Sequence, residues 1–105
     1  MAKYVLAYSG GNGMPESEEA QAEVMAAWGA WFGQIADDLV DGGNPFGPAK
    51  SIAHSGTVSD GGGSTNLTGY SVITAADLDA AVATAKGCPV LANDGNVEVY
   101  EAVDM

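Results

Sequence analysis

Residues 24–39 read VMAAWGAWFGQIADDL and contain both tryptophans of the chain. Their apolar side chains recur at the three- and four-residue spacing of an α-helix, within an arc of about 120°. The members of this stripe are Val24, Met25, Trp28, Trp31, Phe32, Ile35 and Leu39. The pattern predicts an amphipathic helix that is capped by Ser17 and runs to about residue 41, where Gly42 and Gly43 stop it.

A stripe of this width needs a cover, and the remaining apolar segments supply one. Strands are predicted at residues 3–9, 49–59, 68–74 and 96–103. A second helix, with Leu78, Val82 and Ala85 facing inward, follows the capping-box pattern that begins at Thr74 and ends at Asp77. The order β-α-β-β-α-β is the ferredoxin-like plan. We therefore predict one α+β domain over residues 1–105, a four-stranded antiparallel sheet with two helices on one face.

The first strand carries apolar side chains on both faces, whereas the predicted helices cover only one. Tyr4, Leu6 and Tyr8 alternate with Val5 and Ala7. A second copy of the chain is the simplest cover for the other face. The sequence thus predicts a homodimer through the sheet face.

The charge balance restricts the possible partners. Fourteen acidic residues stand against three lysines and no arginine, a formal net charge of −11. Nucleic acids and anionic membrane surfaces are disfavoured, because both require a cationic face. Without a guanidinium fork to grip carboxylate or phosphate, a small uncharged or aromatic ligand fits better.

Several segments argue against other classes of protein. The N-terminal apolar run is too short for a signal peptide and no segment reaches membrane-spanning length, so a cytoplasmic location is predicted. The glycine-rich residues 60–66 join two predicted strands instead of leading into a helix, which excludes a dinucleotide or phosphate loop. They form either a hairpin that borders a cleft or a plain surface loop. No cofactor is predicted.

Short pieces along the chain resemble the YCII-related domain proteins, particularly the branch called DGPF-domain proteins. These pieces are KYVL at 3–6, the helix with Trp28, VSDG at 58–61, TGY at 68–70, LDAA at 78–81, CP at 88–89 and VEV at 97–99. Gly62 and Gly63 stand where the branch has Pro-Phe. The resemblance implies a ferredoxin-like fold that dimerises as an α+β barrel, with a cleft between sheet and helices.

The resemblance also implies small-molecule chemistry, such as the dehydrochlorination of a chlorinated hydroxyhydroquinone, and YCII-type members use a histidine with an aspartate. The only histidine here is His54, predicted on an inward strand face with Ile52 and Val58. His54 is then the candidate acid/base, because histidine is the residue type suited to proton transfer at neutral pH, and Asp60 is the candidate partner that orients it. Alternatively, His54 is bonded to backbone or partly exposed at a dimer edge.

Aromatic residues are the candidate ligand contacts. Tyr8, Tyr70 and Trp28 are predicted to line a pocket for an aromatic ligand, although strand tyrosines also suit a dimer interface and Trp28 a core. No metal site is predicted, since one histidine and one cysteine have no ligand spacing. Cys88, beside Pro89, is predicted to be a packed thiol.

Two functions remain open at this level. One is a homodimeric ligand-binding protein or enzyme that uses His54 as acid/base. The other is a non-catalytic interaction module, favoured by the acidic field and the lack of a convergent polar cluster.

Overall fold

The computed structural model describes residues 1–11, 15–63 and 66–104, and the predicted turn at 10–13 and loop at 60–66 lie partly outside them. The first half contains β1 (Ala2–Gly10), α1 (Glu18–Gln34), β2 (Leu39–Asp41), β3 (Lys50–Ile52) and β4 (Val58–Asp60). The second half contains β5 (Leu67–Ala75), α2 (Leu78–Ala85), α3 (Pro89–Ala92) and β6 (Gly95–Ala102). The prediction of a mixed α+β fold is confirmed.

Four strands form an antiparallel sheet in the order β2-β5-β1-β6. β1 is central, and its Leu6 lies opposite Ser71 of β5 and Val99 of β6. Because residues paired across strands share a face, Tyr4, Leu6 and Tyr8 point to the same side as these partners. The first, third and last predicted strands are confirmed to within two residues at each end.

α1 begins at its predicted cap, Ser17, whereas α2 is capped by Asp77 and not by Thr74, the first residue of the predicted capping box. Thr74 lies within β5. The Ser17 hydroxyl accepts a hydrogen bond from the Ala20 backbone N–H, at 3.1 Å. The Asp77 carboxylate does the same for Ala80, at 2.8 Å. Each cap satisfies a backbone donor that has no partner within the helix.

The core lies between the sheet and the helices. Its buried members are Tyr4, Leu6, Tyr8, Trp31, Ile73, Ala75, Ala81, Ala85 and Cys88. Trp28, Phe32 and Ile35 pack against this cluster as half-buried residues, so the centre of the predicted stripe is confirmed. Met25, by contrast, is 62% exposed.

The predicted end of the first helix was wrong. α1 ends at Gln34, and the Asp38 backbone N–H donates to the Ile35 carbonyl in a turn that leads into β2. A helix that ran to residue 41 would have placed Asp37, Asp38 and Asp41 near the negative end of its dipole, where carboxylates are unfavourable.

The predicted second strand, residues 49–59, was also wrong. It is split into β3 and β4, which pair only with each other, and β2 takes the edge position beside β5. Ala53 to Thr57 turn between them, and Gly56 adopts φ +90, which favours glycine. The face that Ile52, His54 and Val58 were predicted to share is therefore not an inward one.

α2 packs on the sheet by its small residues. Ala81 and Ala85 are buried, whereas Leu78 and Val82 are 48% and 37% exposed. The prediction that Ala85 faces inward is confirmed, whereas the same prediction for Leu78 and Val82 was wrong, because the alanine face of the helix is the one that approaches the sheet closely. Of the helices in the described residues, none is long and apolar enough to cross a bilayer.

Candidate functional site

A cleft of about 340 Å³ opens between α1 and the segment that follows β2. Residues 42–45 of that segment, the rim loop, form one side, and Met25, Trp28 and Phe32 of α1 form the other. Residues 68–70, at the start of β5, complete the wall. A concave, mostly apolar space of this volume is typical of small-molecule sites.

Aromatic rings supply most of the helix side of the cleft. The Trp28 ring meets the Tyr8 ring edge to face, with centroids 5.4 Å apart. The same ring lies 5.6 Å from Phe32 and 5.9 Å from Trp31. Edge-to-face and tilted contacts of this kind fix ring orientation, so the aromatic wall is held in place from behind by the core.

A chain of buried hydrogen bonds connects the cleft to the centre of the sheet. The Tyr8 hydroxyl donates to Ser71 Oγ at 2.8 Å, and Ser71 Oγ donates to the Gly42 carbonyl at 2.7 Å. Ser71 is fully buried and is satisfied by these two bonds. Burial raises the pKa of Tyr8 well above its usual range, so the phenol remains protonated and remains a donor.

Gly43 and the residues that flank the rim loop are also held in place. The Gly43 backbone N–H donates to Asp41 Oδ1 at 2.8 Å, and the Tyr70 hydroxyl donates to Asp41 Oδ2 at 3.4 Å. The Phe46 ring stacks on Tyr70 with centroids 5.7 Å apart. Gly43 has φ +76 and lies against the Tyr70 carbonyl, where no side chain has room.

The structure brings together the three residues predicted to contact a ligand. Tyr8, Trp28 and Tyr70 all line this cleft. The Tyr8 and Tyr70 hydroxyls have hydrogen-bond partners within the protein, so the three residues offer the cleft mainly ring surface. Their role in binding is still a prediction, and their convergence is an observation.

The two residues predicted to be catalytic lie elsewhere. His54 is exposed in the turn between β3 and β4, and Asp60, at the end of β4, forms an exposed ion pair with Lys50. Among the described residues, the lining of the cleft includes neither of them. An acid/base role for His54 remains a prediction, and within its own chain His54 does not line the cleft.

Cys88 is a buried thiol at the N-terminal end of α3. Burial raises its pKa, although contacts with the Val90 backbone and the Tyr8 hydroxyl act in the opposite direction. A thiol in such surroundings packs as a small apolar side chain and is a poor nucleophile. Nowhere in residues 1–11, 15–63 and 66–104 do three or more potential metal ligands come together.

The other concavity of note is a broad groove between α1 and residues 86–93. Its wall includes Trp31, Lys86 and Leu91, and it is wider than the aromatic cleft. Trp31 itself is 4% exposed, so the groove touches only a margin of that ring. The aromatic cleft therefore remains the better candidate.

The sequence matches a known protein family over nearly its whole length. The profile described as the YCII-related domain matches residues 4–105. The chain belongs to the YCII-related domain family. The resemblance seen in short sequence pieces is thereby confirmed over nearly the whole chain. A search among curated proteins found no match.

Several residues at the cleft of this YCII-related domain were missed by sequence reasoning. Gly42, Gly43 and Pro45 were interpreted only as a helix stop and a connector, and Thr68 only as the start of a strand. The adjacent glycines were the available signal, since a glycine allows another backbone to approach closely, as Tyr70 approaches Gly43.

Proposed function

We propose that this YCII-related domain protein is a homodimeric binding protein for a small, neutral, largely apolar ligand of aromatic size. The observation that carries the proposal is the aromatic-walled cleft of about 340 Å³ in which Tyr8, Trp28 and Tyr70 converge. Such a cleft removes apolar ligand surface from water, the main favourable term for a ligand of this kind.

The charges support a neutral ligand. The chain has a formal net charge of −11 and no arginine. Among its described lining residues, the cleft contains no lysine, histidine, aspartate, glutamate or cysteine. An anion would meet no counter-charge and a cation no lining carboxylate, so ring stacking and apolar contact are the main interactions available beside the Asn44 and Thr68 side chains.

The same lining supports binding in preference to acid–base chemistry. Its two tyrosine hydroxyls already have partners, and Tyr8 is held protonated by burial. Proton transfer requires a group whose pKa lies near the working pH. No reaction is therefore included in the proposal.

We further propose the ferredoxin-like plan and a dimer through the open sheet face. The strand order β2-β5-β1-β6 and the packing of α2 on one face support the plan. On the other face, Val5 lies opposite Val72 and Tyr100, and Tyr100 is 53% exposed. An apolar row across three strands supports burial by a second copy.

Membership of the DGPF branch and a cytoplasmic location also remain proposals. Asp60 and Gly61 match the branch, and Gly61 has φ +95, where glycine is favoured. Gly62 and Gly63 depart from its Pro-Phe.

Truncating the exposed wall of the cleft should weaken binding without unfolding the protein. We expect Met25→Ala to raise the Kd for phenol about threefold to tenfold, because Met25 lines the cleft and loses several methylene contacts. Leu78→Ala is the matched control, since Leu78 is exposed on α2 and does not line the cleft. Ligand-observed NMR titration measures both.

Benzoate serves as the charged counterpart of phenol in the same titration. We expect it to bind at least about tenfold more weakly, because a carboxylate meets neither a counter-charge nor a favourable field. Equal binding of the two compounds, or equal effects of Met25→Ala and Leu78→Ala, would contradict the assignment of the cleft.

A further inference from the structure

The hairpin of β3 and β4, residues 50–60, carries an apolar pair that its own chain leaves uncovered. We call this hairpin the arm. Ile52 lies directly opposite Val58 in its ladder, so both side chains share one face. They are 73% and 59% exposed. A ladder of three residue pairs is not stable alone in water, and so it needs a surface to pack on.

The arm projects from the body of the domain. Its base is held by the Gly61 N–H donating to the Ala49 carbonyl at 2.9 Å and by Ser51 Oγ donating to the Gly61 carbonyl at 2.7 Å. Beyond that base, neither strand has more than marginal contact with another described helix or strand. The radius of gyration is 15.0 Å, against about 13 Å for a compact domain of this length.

The distribution of charge indicates which partner suits the arm. Between residues 42 and 76 the formally charged side chains are Lys50 and Asp60, which cancel. The whole formal charge of −11 therefore lies outside this segment. Two copies of the chain repel each other over most of their surface, and the neutral segment is where they can approach without that cost.

We propose that the arm packs the face formed by Ile52 and Val58 against a second copy of this chain, each protomer covering the arm of the other. The inference rests on the proposed homodimer and deepens it, because it adds an exchanged contact to the sheet-face contact. Two-fold symmetry makes the contact reciprocal, so four apolar side chains are buried in each dimer.

The first test measures the dimer dissociation constant by sedimentation equilibrium. For the variant Ile52→Ser/Val58→Ser we expect the Kd to rise by on the order of a hundredfold, since each copy loses two apolar contacts. The matched control is Leu78→Ser/Val82→Ser, which removes a comparable exposed pair from α2. Circular dichroism verifies that both variants keep the wild-type fold.

The outcomes separate the two levels of the proposal. A dimer that weakens only in the arm variant supports the arm contact. A wild-type dimer that is equally tight in both variants overturns the arm contact and leaves the sheet-face dimer standing. A monomeric wild type overturns both the arm contact and the sheet-face dimer. None of these outcomes decides the phenol titration, because the cleft lies within a single chain.

A second measurement identifies what covers the arm without relying on a destabilising change. Ser55→Cys, in the exposed turn of the arm, is labelled with a nitroxide, Cys88 being buried, and mixed with an equal amount of ¹⁵N-labelled wild-type protein. We expect paramagnetic broadening of signals from the ¹⁵N-labelled copies, which carry no nitroxide. Absence of broadening in these copies would mean that the arm does not contact a second chain, and would overturn the proposal.

Discussion

Replacing Trp31 with alanine should lower the free energy of unfolding by about 3–5 kcal/mol, among the largest single effects available in this chain. Trp31 is 4% exposed, and it is the buried residue of α1 that joins the helix to the core. A domain of this size has a total stability of roughly 5–15 kcal/mol, so the variant should lose much of it. Urea denaturation followed by circular dichroism measures the change.

Met25→Ala is the control for Trp31→Ala, because Met25 lies on the same helix and is 62% exposed. We expect it to change the free energy of unfolding by less than about 1 kcal/mol. Near-wild-type stability of Trp31→Ala would show that this ring is a replaceable wall of the neighbouring groove and not a core residue.

The second large effect is expected at Gly43, where Gly43→Ala should cost about 3 kcal/mol or more. An added Cβ would lie 2.7 Å from the Tyr70 carbonyl carbon, closer than the 3.0 Å that real Cβ contacts respect. The backbone at φ +76 adds a penalty for any L-residue. Thermal unfolding of the variant, monitored by tryptophan fluorescence, measures the loss.

Gly29→Ala makes the matched control for Gly43→Ala. Gly29 lies inside α1 with nothing within 4 Å of an added Cβ. We expect this change to stabilise the protein by about 1 kcal/mol, since alanine favours the helix over glycine. A Gly43→Ala variant as stable as the wild type would contradict the close approach of the rim loop to β5.

The elements predicted best are those whose side chains meet a continuous apolar surface. Side chains in β1 and β5 alternate between the two faces of the sheet around Leu6 and Ile73, which are both fully buried. This alternation is visible in the sequence. The helix cap at Ser17 was readable because capping is a local interaction. Local pattern and tertiary packing agree at these places.

The end of α1 was missed because apolar periodicity and electrostatics point in opposite directions there. Ile35 and Leu39 continue the helical spacing, but Leu39 belongs to β2. The three aspartates after Gln34 were a readable signal against a longer helix, since no basic residue offsets them in the last turn.

The arm was missed for a different reason. Residues 49–59 look like one strand by composition, yet Ser55 and Gly56 are a turn signal within the run. Placing His54 on an inward face followed from ignoring that signal. The exposure of Ile52 and Val58 is not deducible locally, because it depends on which positions the main sheet leaves free for β3 and β4.

For the candidate site, the aromatic residues were predictable and the rim loop was not. Tyr8, Trp28 and Tyr70 were inferred from residue type and strand or helix position. The contribution of Gly42 and Pro45 depends on where β2 returns along β5, which is a tertiary relation.

The hydrogen bond from Ser71 Oγ to the Gly42 carbonyl has a consequence for how a ligand binds. Because the loop is bonded to the fully buried centre of β5, the cleft is preorganised, and binding requires little loss of loop entropy. Association should then be a single step that is first order in ligand at all concentrations, with no slow isomerisation of a lid. Affinity in this protein should be set by the fit of the ligand against rings that are already in place.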